Sequence, residues 1–86
     1  MWDYFHLYIC TSCSYCKEAM DLLEKEERDF IVTVMDKCTR FRQGISTQLN
    51  FPTVPIVMGC NLDGKVQIIG GYTQLKSHLE QPKEVK

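Results

Sequence analysis

The sequence predicts an α/β fold in which a four-stranded mixed sheet is flanked by three helices, in the order β-α-β-α-β-β-α. Two apolar, β-prone runs, YFHLYI at 4–9 and DFIVTVM at 29–35, enclose the amphipathic segment KEAMDLLEKEE. Strand, helix and strand within about 30 residues indicate a βαβ unit with parallel strands. A second indication is the turn sequence NLDG at 61–64, which lies between two short apolar runs and predicts a β-hairpin.

The first two strands and the helix between them form the predicted βαβ unit. Because both strands are almost continuously apolar, each is expected to be buried on both faces. The helix has Tyr15, Ala19, Leu22 and Leu23 on one face and Glu18, Asp21, Lys25 and Glu26 on the other. The apolar face is therefore expected to pack on the sheet.

The remaining elements are shorter. Helical spacing of Phe41, Ile45 and Leu49 predicts a second helix over 39–50, although Gly44 costs it about 1 kcal/mol. Short strands are predicted at 54–58 and 65–69, and Gly70-Gly71 breaks the second of them. A closing helix carries Tyr72, Leu75 and Leu79, and Pro82 is expected to prevent its continuation.

Length and composition exclude several classes of protein. The 86 residues are enough for one domain, residues 1–86, and the net charge of −1 argues against nucleic acid as the main partner. No apolar run approaches the roughly 20 residues that cross a bilayer. The N-terminus has no basic segment of a signal peptide, so a cytoplasmic protein with no membrane partner is expected. Five cysteines, an odd number, fit poorly with a disulfide-stapled secreted protein.

The stretch CTSCSYCK at 10–17 contains two overlapping C-x-x-C pairs. Cys13 follows the first strand and begins the first helix, with Cys16 one turn later on the same face. The free N–H groups and dipole of a helix N-terminus stabilise a thiolate. We therefore expect Cys13 to be the nucleophile and the more deeply buried Cys16 to be the resolving thiol.

Cys10 leaves an alternative open. The run C-x2-C-x2-C also occurs in iron–sulfur proteins, where Cys38 or Cys60 would have to supply further ligands. Since such sites normally need four ligands, the simpler interpretation is that Cys10, Cys38 and Cys60 are small, partly buried thiols, and no metal site is expected within one chain.

Three motifs, C-S-Y-C at 13–16, T-V-P at 53–55 and G-G-Y at 70–72, occur in this order over nearly the whole chain. Their combination resembles the glutaredoxins of the thioredoxin superfamily, in particular the compact glutaredoxins of bacteria and large-genome phages. The resemblance implies a thioredoxin-like fold and a cis-proline at Pro55, with Val54 pairing with an extended substrate. It implies a glutathione-dependent oxidoreductase that reduces protein disulfides and glutathione mixed disulfides.

The resemblance also implies where glutathione binds and what the partners are. The expected binding residues are Tyr15, Thr53, Val54, Pro55, Gly70, Gly71, Tyr72, Thr73 and Gln74. Glutathione is the expected reductant, ribonucleotide reductase is a candidate client, and the chain is expected to be a monomer.

Several positions depart from the usual family pattern. Cys10 occupies a position where lysine is common, and Thr73 and Gln74 replace acidic residues. We therefore expect weaker glutathione binding, for which Lys17, Arg40 or Arg42 are candidates to compensate. Ser14 replaces a common proline, which is expected to affect the redox potential.

Two other functions are compatible with these residues. Some glutaredoxins with C-S-Y-C bridge a [2Fe-2S] cluster between two subunits, which here would use Cys13 and glutathione. The second is a redoxin that a thioredoxin-type reductase reduces, although the thioredoxin motif W-C-G-P-C is absent.

Overall fold

A computed structural model describes residues 2–51 and 53–80. The elements are β1 (Tyr4–Ile9), α1 (Ser14–Lys25), β2 (Phe30–Val34), α2 (Thr39–Leu49), β3 (Ile56–Cys60), β4 (Val66–Gly70) and α3 (Tyr72–Glu80). This is the predicted order. The expectation that Pro82 ends the last helix lies outside the described residues.

The four strands form one sheet in the order β2-β1-β3-β4. β1 and β2 are parallel, whereas β1 pairs with β3, and β3 with β4, in antiparallel fashion. The predicted fold class, a thioredoxin-like mixed sheet with three helices, is therefore confirmed.

The hydrophobic core lies between one face of the sheet and the helices α1 and α3. On β1, Phe5, Leu7 and Ile9 point into it, because alternate residues of a strand share a face. Ala19 and Leu23 of α1, with Leu75 of α3, complete its centre, and all three are fully buried. Fully burying a large apolar side chain stabilises the fold by about 1.5–3 kcal/mol, so this layer holds α1 and α3 on the sheet.

The prediction that the first two strands are buried on both faces is wrong. On β1 the second face, Tyr4, His6 and Tyr8, is only half-buried. β2 lies at the edge of the sheet and exposes Ile31, Val32 and Val34. The physical reason is that helix α2 has no buried residue, so the second face has little cover. Apolar β-branched residues suit an exposed edge as well as a buried strand, and the pattern alone does not distinguish them.

The hairpin is confirmed, with small shifts in its strands. β3 begins at Ile56 instead of 54, since Pro55 has no N–H to give to the sheet. Between β3 and β4, Gly64 has a φ of +97° and its N–H donates to the carbonyl of Asn61 at 3.0 Å. No helix within the described part of the chain is long and apolar enough to cross a membrane.

Candidate active site

Cys13 lies at the N-cap of α1, one residue before the first helical residue. Its Sγ accepts a hydrogen bond from the main-chain N–H of Cys16 at 3.2 Å. Its own N–H donates to the carbonyl of Cys10 at 3.3 Å, which closes the turn between β1 and the helix. A side chain at this position satisfies a free N–H of the helix and faces its positive dipole end. The arrangement therefore places a hydrogen-bond donor and the positive end of the helix dipole beside the Cys13 sulfur.

Cys16 lies one turn further along α1 and has only 1% of its surface exposed. Burial, together with the hydrogen bond to the Cys13 side chain, raises the pKa of the Cys16 thiol to about 12. Cys16 consequently stays protonated at neutral pH while Cys13 is partly accessible. Two thiols of such different environments on one helix face suit the roles of attacking and resolving sulfur.

The segment before β3 faces the dithiol. The Cys13 thiol donates to the main-chain carbonyl of Val54, with Sγ and oxygen 3.7 Å apart. The peptide bond between Val54 and Pro55 is cis, as the resemblance implied.

A groove of about 350 Å³ extends from Val54. Its lining consists of Tyr15, Thr53, Val54, Pro55, Gly71, Tyr72, Thr73 and Gln74. These are eight of the nine residues that the sequence predicts to bind glutathione. The ninth, Gly70, is buried and does not line the groove.

Two tyrosines form one wall of this groove. Tyr15 is 57% exposed, and its ring stacks on that of Tyr72 with centroids 5.7 Å apart and planes 29° apart. The pair joins the first turns of α1 and α3, so the wall is built from both helices that carry the site. Tyr15 is therefore not a core residue, although its helical spacing placed it on the apolar face.

The N-terminus of α3 is capped from within the helix. Gln74 Oε1 accepts a hydrogen bond from the N–H of Gly71 at 2.9 Å, which is the reverse half of a capping box. One lone pair of this oxygen and the first free N–H are thus already used. A ligand at this end of α3 would find the remaining lone pair of Gln74, the exposed Thr73 and the next N–H groups.

None of the described residues that line the groove is charged. Lys17, a candidate to compensate for the missing family lysine, forms an exposed ion pair with Asp21 at 3.0 Å. Arg40 and Arg42 are exposed on α2 and do not line the groove. Among the described residues, polar groups and aromatic rings, not charged side chains, therefore line the groove.

Asp36, which the sequence did not single out, anchors the loop before Cys13. Asp36 Oδ2 accepts hydrogen bonds from both the N–H and the hydroxyl of Thr11, at 3.0 and 2.5 Å. These bonds hold the pKa of the Asp36 carboxyl below its usual value. A signal was available, because β1 and β2 are parallel and the residues that follow them meet at the same end of the sheet.

The other cysteines do not assemble with the dithiol into a metal site. Cys10 and Cys60 are buried and Cys38 is exposed. Among residues 2–51 and 53–80, no three side chains of His, Cys, Asp or Glu form a group that could hold a metal ion. In the described chain Cys13 and Cys16 therefore share the start of α1, with Cys10 as a nearby third thiol at the start of the preceding turn.

These features define a protein with a thioredoxin-like fold and a dithiol at a helix N-terminus. The glutaredoxin family model matches residues 5–66, which is most of the chain, and the chain belongs to that family. It is accordingly a thiol–disulfide oxidoreductase of the glutaredoxin type.

Solved structures agree on the fold. The holo form of glutaredoxin C1 from Populus tremula x tremuloides is 22% identical, with a TM-score of 0.71 over 88% of this chain and 73% of that one. Glutaredoxin from Brucella melitensis is 15% identical, with a TM-score of 0.67 over 95% of this chain and 84% of that one. No curated protein matches the sequence significantly.

Proposed function

We propose that this glutaredoxin reduces protein disulfides and glutathione mixed disulfides with electrons from glutathione, through Cys13 and Cys16. The observation that carries the proposal is the position of Cys13. Its sulfur lies at the N-cap of α1, 3.7 Å from the Val54 carbonyl at the start of an uncharged groove.

The reaction begins at the Cys13 thiolate. It attacks one sulfur of a substrate disulfide, forms a mixed disulfide and releases the other sulfur as a thiolate, which takes up a proton. For a protein substrate, Cys16 then loses its proton, attacks the Cys13 sulfur and releases the reduced protein. The thiolate that departs is the natural acceptor of that proton, because the pKa of the Cys16 thiol in the reduced site is about 12.

Glutathione returns the enzyme to the dithiol. One glutathione thiolate attacks Cys13 in the intramolecular disulfide, which forms a Cys13–glutathione mixed disulfide and frees Cys16. A second glutathione attacks the glutathione sulfur of this intermediate, so that glutathione disulfide leaves and the Cys13 thiolate is regenerated. Two electrons pass from two glutathione molecules to one disulfide, and no further cofactor is required.

The groove supports glutathione as the ligand. We expect the main chain of Val54 to pair with an extended cysteinyl peptide, in the manner of an added β-strand. The stacked rings of Tyr15 and Tyr72 offer an apolar wall, and the N-terminus of α3 offers N–H groups to a carboxylate. Because the lining contains no charged residue, we expect a weaker complex than charge-assisted hydrogen bonds would give.

A donor comparison tests the proposal. The rates of disulfide reduction are measured with glutathione plus glutathione reductase, and separately with a thioredoxin-type reductase. We expect turnover with glutathione, loss of activity in Cys13→Ser, and unchanged activity in Cys38→Ser, which removes an exposed cysteine outside the groove. Full activity in Cys13→Ser would refute the mechanism. Turnover with the thioredoxin-type reductase and none with glutathione would refute glutathione as the donor. Ribonucleotide reductase is the client to assay first, by family resemblance.

A cluster-bridging dimer is the second candidate. Cys16 is a buried, protonated thiol, so Cys13 is the ligand that each chain would offer. Such a cluster would need Cys13 from two chains and thiols from outside. Anaerobic reconstitution with iron, sulfide and glutathione, followed by visible absorption and mass measurement, distinguishes the two, and a colourless protein supports the dithiol function.

A further inference from the structure

We propose that two copies of this chain associate through the free edge of β2, which pairs antiparallel with its counterpart and extends the sheet across both molecules. This inference concerns a surface away from the groove and does not depend on the proposed function. It also differs from the monomer expected from the sequence.

Within residues 2–51 and 53–80, the edge of β2 has none of the usual protection. Strands at sheet edges usually carry a charge, a proline or a bulge that prevents pairing with other chains. The strand FIVTV has no charged residue and no proline, and its pairing with β1 runs without a register shift. Ile31, Val32 and Val34 are 52%, 36% and 44% exposed, so both of its faces present apolar surface beside the open edge.

The opposite edge is protected. β4 has a register shift at Val57/Met58 in its pairing with β3, carries Gln67 and ends at Gly70 with a φ of +133°. A bulge and an irregular end disfavour the pairing of a further strand. Self-association is therefore expected at β2 and not at β4.

The main chain of β2 is complementary to itself. The N–H of Phe5 donates to the carbonyl of Asp29, and the N–H of Met35 donates to that of Ile9. The main-chain N–H and C=O groups of the odd-numbered residues of this segment therefore point toward β1. Those of residues 30, 32 and 34 point away from it.

When β2 of a second copy pairs antiparallel with Val32 at the centre, all of these outward-pointing N–H and C=O groups find partners. In this register Val32 lies opposite Val32 of the second copy, and Phe30 lies opposite Val34. Each of these pairs can exchange two main-chain hydrogen bonds, as hydrogen-bonded pairs of an antiparallel ladder do. Registers shifted along the strand leave some outward groups unpaired.

The charges at the two ends of β2 favour the same arrangement. Asp29 precedes the strand and Lys37 follows it, and both are exposed, whereas their neighbours Arg28 and Asp36 are half-buried and hydrogen-bonded within the chain. Antiparallel pairing brings the end that exposes Asp29 in one copy toward the end that exposes Lys37 in the other, whereas parallel pairing in register would bring like exposed charges together. The groove is lined by Tyr15 of α1, by residues 53–55 before β3 and by residues 71–74 at the start of α3, and none of these belongs to β2, so the paired edge leaves it open.

Charge substitution at the centre of the edge tests the proposal. Sedimentation equilibrium is measured in reductant, without iron or glutathione, so that neither disulfides nor a bridged cluster contribute. We expect the wild-type mass to rise toward that of a dimer with concentration. Val32→Lys places two like charges opposite each other and should weaken association about tenfold or more.

Matched variants separate this effect from damage to the fold. Val66→Lys makes the same change on the β4 edge, at a residue that is 57% exposed, and should leave association intact. Val32→Glu alone should behave like Val32→Lys, and a mixture of the two should associate again. As a measurement without mutation, hydrogen exchange at the amides of residues 30, 32 and 34 should slow as the concentration of the wild-type protein rises.

Three results would overturn the proposal. In the first, the wild-type protein stays monomeric up to about 1 mM. In the second, Val66→Lys abolishes association and Val32→Lys does not. In the third, a mixture of folded Val32→Lys and Val32→Glu proteins stays monomeric. Disulfide reductase activity should be the same in all of these variants, because position 32 is not part of the site.

Discussion

Replacing Gly70 with alanine should destabilise the protein, for two reasons that the backbone and the packing supply separately. Gly70 has a φ of +133°. Residues with a Cβ seldom adopt this conformation, because it costs them about 1–3 kcal/mol. A Cβ at this position would lie 2.7 Å from both Cβ and Cγ of Gln74, closer than atoms tolerate without movement. We expect a loss of about 2 kcal/mol or more, out of the 5–15 kcal/mol typical of a small domain.

The measurement is a pair of unfolding curves, by heat and by urea, for the variant and the wild type. A loss of about 2 kcal/mol corresponds to a fall in Tm of roughly 8–16 °C for a domain of this size. Gly44→Ala is the matched control, because it adds the same methyl group inside α2, where no atom lies within 4 Å of the added Cβ. There alanine should stabilise the helix by about 1 kcal/mol.

The two substitutions should therefore have opposite signs. If Gly70→Ala were as stable as the wild type, the strained conformation and the contact with Gln74 would not limit this position. The residue could then not be described as one that requires glycine. A loss of stability in Gly44→Ala would instead point to a contact of α2 that the open surroundings of Gly44 do not suggest.

Three further predictions concern the dithiol and its support. Cys16→Ser should lose the reduction of protein disulfides and keep the reduction of glutathionylated substrates, as separate assays of the two would show. Because the pKa of the Cys16 thiol is raised from 9.0 to about 12, the unfolded chain loses this proton first. The free energy of unfolding should therefore fall as pH rises between those values, by up to about 1.4 kcal/mol per unit, and less steeply in Cys16→Ser. Asp36→Asn should lower stability at neutral pH and slow the reaction, since its hydrogen bonds to Thr11 position the loop before Cys13. The contribution of Asp36 should disappear in acid, as pH falls through its lowered pKa, and in a Thr11→Val background the Asn substitution should have little further effect.

The sequence predicted the order of elements and the surroundings of the dithiol because those depend on local rules. Cys13 begins its helix as expected, since a strand, a short turn and an amphipathic segment leave few other starting points. The groove residues were implied by the resemblance to glutaredoxins, and eight of the nine line the groove. Gly70 was the exception, because its role is conformational and a G-G pair does not say which glycine lines the groove.

Features that depend on long-range geometry could not be predicted. An apolar run such as FIVTV fits a buried strand and an exposed edge equally well, and only the strand order distinguishes them. The bond between Thr11 and Asp36 joins residues 25 positions apart, and it required knowing which ends of the strands meet. The cap that Gln74 places on Gly71 is local, but the expectation that Gln74 serves a ligand concealed it.

The absence of charge in the groove lining has a consequence for the conditions under which the enzyme works. Ion pairs between exposed groups weaken as dissolved salt screens them, with a Debye length of about 8 Å at physiological ionic strength. Uncharged main-chain groups and aromatic rings make contacts that salt screens less than it screens ion pairs. Under the proposed use of glutathione, the Michaelis constant for glutathione should therefore change less between dilute buffer and high salt than it would in a groove that binds through ion pairs.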